Sequence, residues 1–161
     1  MLTHLFTIGV YGYEEEAFFQ QLMDARIDAF CDIRRRRGMR GTKYAFANAK
    51  RLEQRLTDLG IRYFHCKELA PSNEVRKIQK EHDRLTKTAK RERTIMNEAF
   101  KQAYHESVLL SFDTMDFIET IGNAENLALF CVERDYRACH RSILAERLRQ
   151  DLNIPVQHLS P

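Results

Sequence analysis

Nothing in this chain of 161 residues approaches the roughly 20 consecutive apolar residues of a membrane helix, so no membrane span is expected. The opening residues, MLTHLFTIGVYGYEEE, lack a basic segment and a small-residue cleavage site. That argues against a secretory leader and for a cytoplasmic location. Zinc-ligand pairs spaced as C-x2-C or H-x3-H are absent, and no metal site is assigned on spacing. There is no internal repeat, low-complexity tract or linker, which leaves one domain spanning residues 1–161. Cysteine is sparse: Cys31, Cys66, Cys131 and Cys139 stand at irregular intervals. A chain long enough to bury a core needs no disulfide staples, so reduced thiols are expected.

Acids are missing from one place in particular. Residues 34–51, RRRRGMRGTKYAFANAKR, hold eight Lys or Arg and no Asp or Glu. Residues 74–101 hold nine basic and five acidic residues, a net +4. The remainder, with 26 basic and 23 acidic residues in the whole chain, is 9 minus 18, or −9. Two basic segments on an acidic body point to a surface that meets a polyanion. Four consecutive arginines repel one another unless something negative lies between them.

What is present is an alternation of short apolar runs and amphipathic ones. Strands are expected at 4–10, 27–33, 61–66, 126–133 and 155–159, the fourth being continuous enough for the centre of a sheet. Helices are expected after YEEE, over ANAKRLEQRLTDLG with Gly60 as its C-terminal cap, at 113–121 and at 139–152. A long helical stretch over about 73–105 has Ser72 as its cap, so a basic helical insertion occupies about 73–121. The expected fold class is α/β: one mainly parallel sheet of about five strands flanked by helices. Ligands of such sheets bind beyond the carboxyl ends of the strands. That rule collects Gly9, Tyr11, Asp32, Arg34, His65, Cys66, Glu133 and His158 along one edge.

The stretch CVERDYRACHR, residues 131–141, carries the densest chemistry. Cys139 at a helix N-terminus is a candidate nucleophile or redox thiol, with the helix dipole, His140 and Arg141 favouring the thiolate. Adjacent side chains on a helix point about 100 degrees apart, so contact between His140 and Cys139 does not follow from the spacing. Cys131 and Arg137 match the C-x5-R spacing of phosphatase loops, yet no glycine helps wrap the loop, and Glu133 and Asp135 would repel an anion. Cys131, Glu133, Cys139 and His140 are all possible metal ligands by type, without a recognised spacing. The helix N-terminus together with Arg141, Arg34 and Arg36 suits a phosphate, and Tyr44 and Phe46 offer stacking faces within the basic loop. Asp32 and Glu133, at strand ends, are candidates for general acid and base or for orienting the arginines.

The segments TIG (7–9), DIR (32–34), LG before IRYFH, CVE (131–133), CHR (139–141) and VQHL (156–159) occur in the order found in a bacterial family catalogued as domain of unknown function 488. The chain resembles that family over nearly its whole length, most specifically in CVE…CHR. The resemblance implies a compact cytoplasmic α/β domain with polar residues clustered near Asp32, Arg34, Glu133, Cys139, His140 and Arg141, and it implies no activity. The chain departs from the pattern at RRRG after the second strand and at Leu69-Ala70 after the third, and both departures favour a polyanionic ligand.

The expectation is therefore a phosphate-bearing ligand, nucleotide or nucleic acid, at the carboxyl edge. Arg34, Arg141, His140, Tyr11 and Arg36 would hold the anion, and Asp32, Glu133 and Cys139 would supply any catalysis. The alternatives are an enzyme using Cys139 as a thiol, and a non-catalytic module whose basic helix, with Lys87, Lys90, Arg91 and Arg93, docks an acidic partner. No cofactor is assigned.

Overall fold

The structure is a computed structural model that describes residues 1–161 apart from the side chain of Arg91. Five strands form one sheet: β1 (His4–Gly9), β2 (Ala29–Asp32), β3 (Arg62–His65), β4 (Asn126–Cys131) and β5 (Val156–Leu159). Their spatial order is β3-β2-β4-β1-β5, and every pairing is parallel. β4 lies in the middle, which explains its unbroken apolar run: Leu127 to Phe130 are fully buried, with partners on both edges and cover on both faces.

Helices α1 (Glu15–Asp24), α2 (Ala49–Asp58), α3 (Asn73–Leu85), α4 (Glu98–Tyr104), α5 (Thr114–Ile121) and α6 (His140–Leu152) complete the α/β fold. Glu15 and Glu16 sit in the first turn of α1, where the dipole favours them. Gly60, at φ 73°, ends α2 in a conformation other residues adopt at a cost. On one side of the sheet Phe18 of α1 packs edge-on against Phe30 and Phe130. Strand alternation turns Cys31 and Cys131 to the opposite side, where Tyr104 of α4 and the start of α6 cover them. Each large apolar side chain buried this way contributes about 1.5–3 kcal/mol.

The long helix expected over 73–105 is in fact two helices and a connection. Ser72 caps α3 as expected, its Oγ accepting from the Val75 N–H at 3.2 Å. α3 then stops at Leu85, because Lys87 takes the left-handed conformation at φ 54°. A 3-10 turn at Lys90–Glu92 follows, and α4 starts anew with the Asn97 side chain accepting from the Ala99 and Phe100 N–H groups. The strands are shorter than the apolar runs suggested. β2 keeps only Ala29–Asp32 of residues 27–33, since Ile27 and Ile33 are core residues outside the ladder.

Candidate functional site at the carboxyl edge

The strand ends bring the expected residues to one edge of the sheet but divide them into two groups. The first stands on the side of α1. Asp32 ends β2 and accepts two bonds from Arg34, Nε to Oδ1 at 2.9 Å and Nη2 to Oδ2 at 2.8 Å. The Arg34 backbone N–H adds a third at 3.1 Å, and the Tyr63 hydroxyl donates a fourth at 2.7 Å. Both side chains of the pair are almost wholly buried, at 3% and 0% exposure. Arg34 also donates to the Ala47 carbonyl and lies over the Phe130 ring, 4.7 Å from its centre. Its Nη1 is buried and has no partner among the described residues.

Around this pair the Arg-rich loop spreads outward. Arg35 donates to the Pro71 carbonyl and Arg37 to the Tyr63 hydroxyl, while Arg36, Arg40 and Lys43 are exposed. Tyr11 and Tyr44 pack ring to ring at 5.3 Å, and the Tyr44 hydroxyl accepts from the Gly12 N–H. Burial, and then the charge of Asp32, pushes the Tyr63 phenol well above its ordinary value.

The second group stands at the end of β4 and the start of α6. Cys139 has extended backbone, φ −136° and ψ 142°, because it is the residue before the helix rather than part of it. The separation of about 100 degrees between helical neighbours therefore does not apply. Cys139 Sγ and His140 Nδ1 are 3.7 Å apart. The His140 ring is oriented from its other nitrogen, with Nε2 lying 3.1 Å from the Ile33 carbonyl oxygen. A carbonyl accepts, so Nε2 carries a proton, and in the neutral ring this leaves the Nδ1 lone pair facing the cysteine. Cys131 lies beside Cys139, and its hydrogen bond with that thiol, together with burial, raises the Cys131 thiol well above its ordinary value. Tyr104 packs on the far side of the imidazole at 5.4 Å.

Glu133 is buried two residues past Cys131. Its burial alone would raise the carboxyl, but Lys90, His140 and Arg93 overcome that and hold it at about 2. Oε1 faces Arg93 at 3.6 Å and Lys90 at 3.8 Å, while the buried Oε2 has no hydrogen-bond partner among the described residues. Arg93 is in turn clamped by Asp83 of α3. The basic insertion thus turns Arg93 inward, to the end of β4, while Lys90 reaches Glu133 from the surface. Lys87 is exposed, and the side chain of Arg91 lies outside the described residues.

Arg141 is fully buried and spends its guanidinium on the chain itself. Nη1 donates to the Glu133 carbonyl at 2.7 Å and Nη2 to the Arg134 carbonyl at 3.3 Å, leaving only Nε without a partner. This clamp works because Gly9 has no side chain: a Cβ there would meet the Glu133 carbonyl oxygen at 1.8 Å. His158 is stacked on Tyr136 at 3.6 Å and bonded to Thr7. Arg137, the arginine of the C-x5-R spacing, is paired with Asp135 at the surface.

A profile described as "Domain of unknown function DUF488" matches residues 14–148. The chain belongs to that family. Comparison with curated proteins and with solved structures returned no match. In this DUF488 chain the matched span covers both groups of site residues, from the Asp32–Arg34 pair to the first residues of α6. Sequence reasoning missed Tyr63 and Asp83, and it placed Arg93 only on a basic helix docking an acidic partner, not beside Glu133. Tyr63 stands one strand over from Phe30, in register with it, so that its hydroxyl reaches the neighbouring strand end. Arg93 sits in an irregular connection where no periodicity tells inward from outward.

Proposed function

We propose that this domain binds a phosphate-bearing ligand, a nucleotide or nucleic acid, at the carboxyl edge of its sheet. The observation that carries this reading is the buried Arg34 guanidinium. Asp32 holds Nε and Nη2 in a fixed fork, and Nη1 is left as an oriented, desolvated donor without a partner. A buried N–H in that state costs about 1–3 kcal/mol until an acceptor arrives, and a phosphate oxygen is a strong one. The exposed Arg36, Arg40 and Lys43 next to it supply the field that draws a polyanion in. Arg141, fully buried, acts in this reading by holding the chain after β4 in place, and His140 by tying α6 to the end of β2.

Anisotropy of a labelled single-stranded oligonucleotide tests the reading. With about three phosphates neutralised, affinity falls roughly 20-fold between about 50 and 200 mM salt. Arg34→Lys, which keeps the charge but loses the fork, should weaken binding at least about tenfold, and Arg36→Gln should weaken it less and lower the salt slope. Binding that ignores both salt and Arg34→Lys overturns the proposal. A second reading, thiol catalysis by Cys139, is favoured by its contact with a His140 nitrogen that is free to accept the proton. It requires access to a thiol that is only 2% exposed. Alkylation of Cys139 that follows a pKa near the ordinary value of about 8.5 would exclude it.

A further inference from the structure

We propose that Cys131, Cys139 and His140 form a binding site for a divalent metal ion of the zinc class. Their three donor atoms, two Sγ and the His140 Nδ1, all lie within 4.8 Å of one another. Tetrahedral zinc, with Zn–S of about 2.3 Å and Zn–N of about 2.0 Å, spaces sulfur and nitrogen donors roughly 3.5 Å apart. The Cys139 Sγ to His140 Nδ1 distance is 3.7 Å, so an ion can be seated between them with little movement.

The surroundings fit the same occupant. His140 already has the outer contact that metal-bound imidazoles use, its Nε2–H turned to the Ile33 carbonyl, which fixes the ring and leaves Nδ1 for the ion. Two thiolates neutralise a divalent cation, so the loaded site carries no net charge where all three side chains are buried. Soft sulfur donors select zinc-like ions over magnesium or calcium. On binding, each thiol gives up its proton to solvent and no electron is transferred. The donors come from the end of the central strand and the cap of the following helix, and the backbone of both is held by the fold. Three protein ligands leave the fourth tetrahedral position to water or another donor from outside. Glu133, buried with Oε2 unpartnered among the described residues, lies two residues from Cys131. The inference stands apart from anion binding at Arg34, which needs no metal.

The test uses the full chain, purified with reduced thiols and stripped of metal, titrated with cobalt(II). Equimolar uptake should produce sulfur-to-cobalt charge-transfer absorption and the visible bands of a tetrahedral ion, both removed by added zinc. Cys139→Ser and Cys131→Ser should abolish these bands, while Cys31→Ser and Cys66→Ser, which alter the other buried thiol pair, should leave them. Should the first two variants fail to fold, the parent protein still decides: its charge-transfer intensity should correspond to two thiolates per cobalt and persist in Cys31→Ser and Cys66→Ser. Absence of charge-transfer absorption, intensity corresponding to fewer than two thiolates, or absorption that depends on Cys31 or Cys66 overturns the proposal. Oligonucleotide binding measured on the metal-free protein remains a separate result.

Discussion

Replacing Asp32 by asparagine tests whether the Asp32–Arg34 pair is the rigid centre of the edge. The carboxylate accepts four hydrogen bonds, at 2.7 to 3.1 Å, two of them from one guanidinium. Asparagine can keep the acceptor facing the Arg34 N–H and Nε, but its amide then turns N–H groups against Nη2 and the Tyr63 hydroxyl. More costly is the charge: Arg34 is 3% exposed, and without Asp32 its cation has no counter-ion at hydrogen-bond distance. Breaking a buried ion pair by removing one member costs about 3–5 kcal/mol, because the survivor stays desolvated. For a domain of this size each kcal/mol moves the melting temperature by about 2–4 °C, so Asp32→Asn should melt roughly 6–20 °C below the parent. The double variant Asp32→Asn with Arg34→Met removes the orphan charge. Its loss should fall short of the two single losses combined by about 0.5–3 kcal/mol. Calorimetry and urea unfolding followed by circular dichroism give both quantities. An Asp32→Asn protein that melts within about 3 °C of the parent, or strict additivity in the double variant, refutes the reasoning.

Two further outcomes follow from the geometry. Gly9→Ala places a methyl 1.8 Å from a backbone oxygen that cannot swing away, so its cost should exceed the 1–3 kcal/mol of ordinary overpacking. Soluble yield and melting temperature read it, and a variant as stable as the parent would refute the close approach of β1 to the chain after β4. Tyr13, Tyr63 and Tyr104 should ionise late in alkali. Burial raises all three, Tyr13 to about 12 despite the opposing charge of Arg141, so the folded state favours the neutral phenol. That stability is complete below the unfolded tyrosine value of about 10 and is lost as pH rises above it. Absorbance at about 295 nm, the tyrosinate band, should therefore show a delayed limb that coincides with loss of the circular dichroism signal. Ionisation of every tyrosine near pH 10 without unfolding would contradict this.

Much of the architecture could be read from periodicity. β4 was legible as a central strand because burial on both faces leaves no room for alternation, and α2 and α6 because their apolar residues recur at helical spacing. The insertion was misread as one helix, since Lys87 adopts its left-handed conformation without a glycine to announce it. The gathering of Asp32, Arg34, Glu133, Cys139 and His140 at one edge followed from topology alone.

By itself the sequence determined the class of fold, the strand that lies at its centre and the end of the sheet where polar residues collect. Those depend on hydrophobic period and chain order, both local properties of the string. Only the tertiary structure decided how the collected residues pair. Side-chain direction at a strand end depends on which face a neighbour covers and on cap geometry. So it took the folded chain to turn Cys139 towards His140, to bury Arg141 against carbonyls, and to bring Arg93 and the exposed Lys90 of the basic insertion to Glu133.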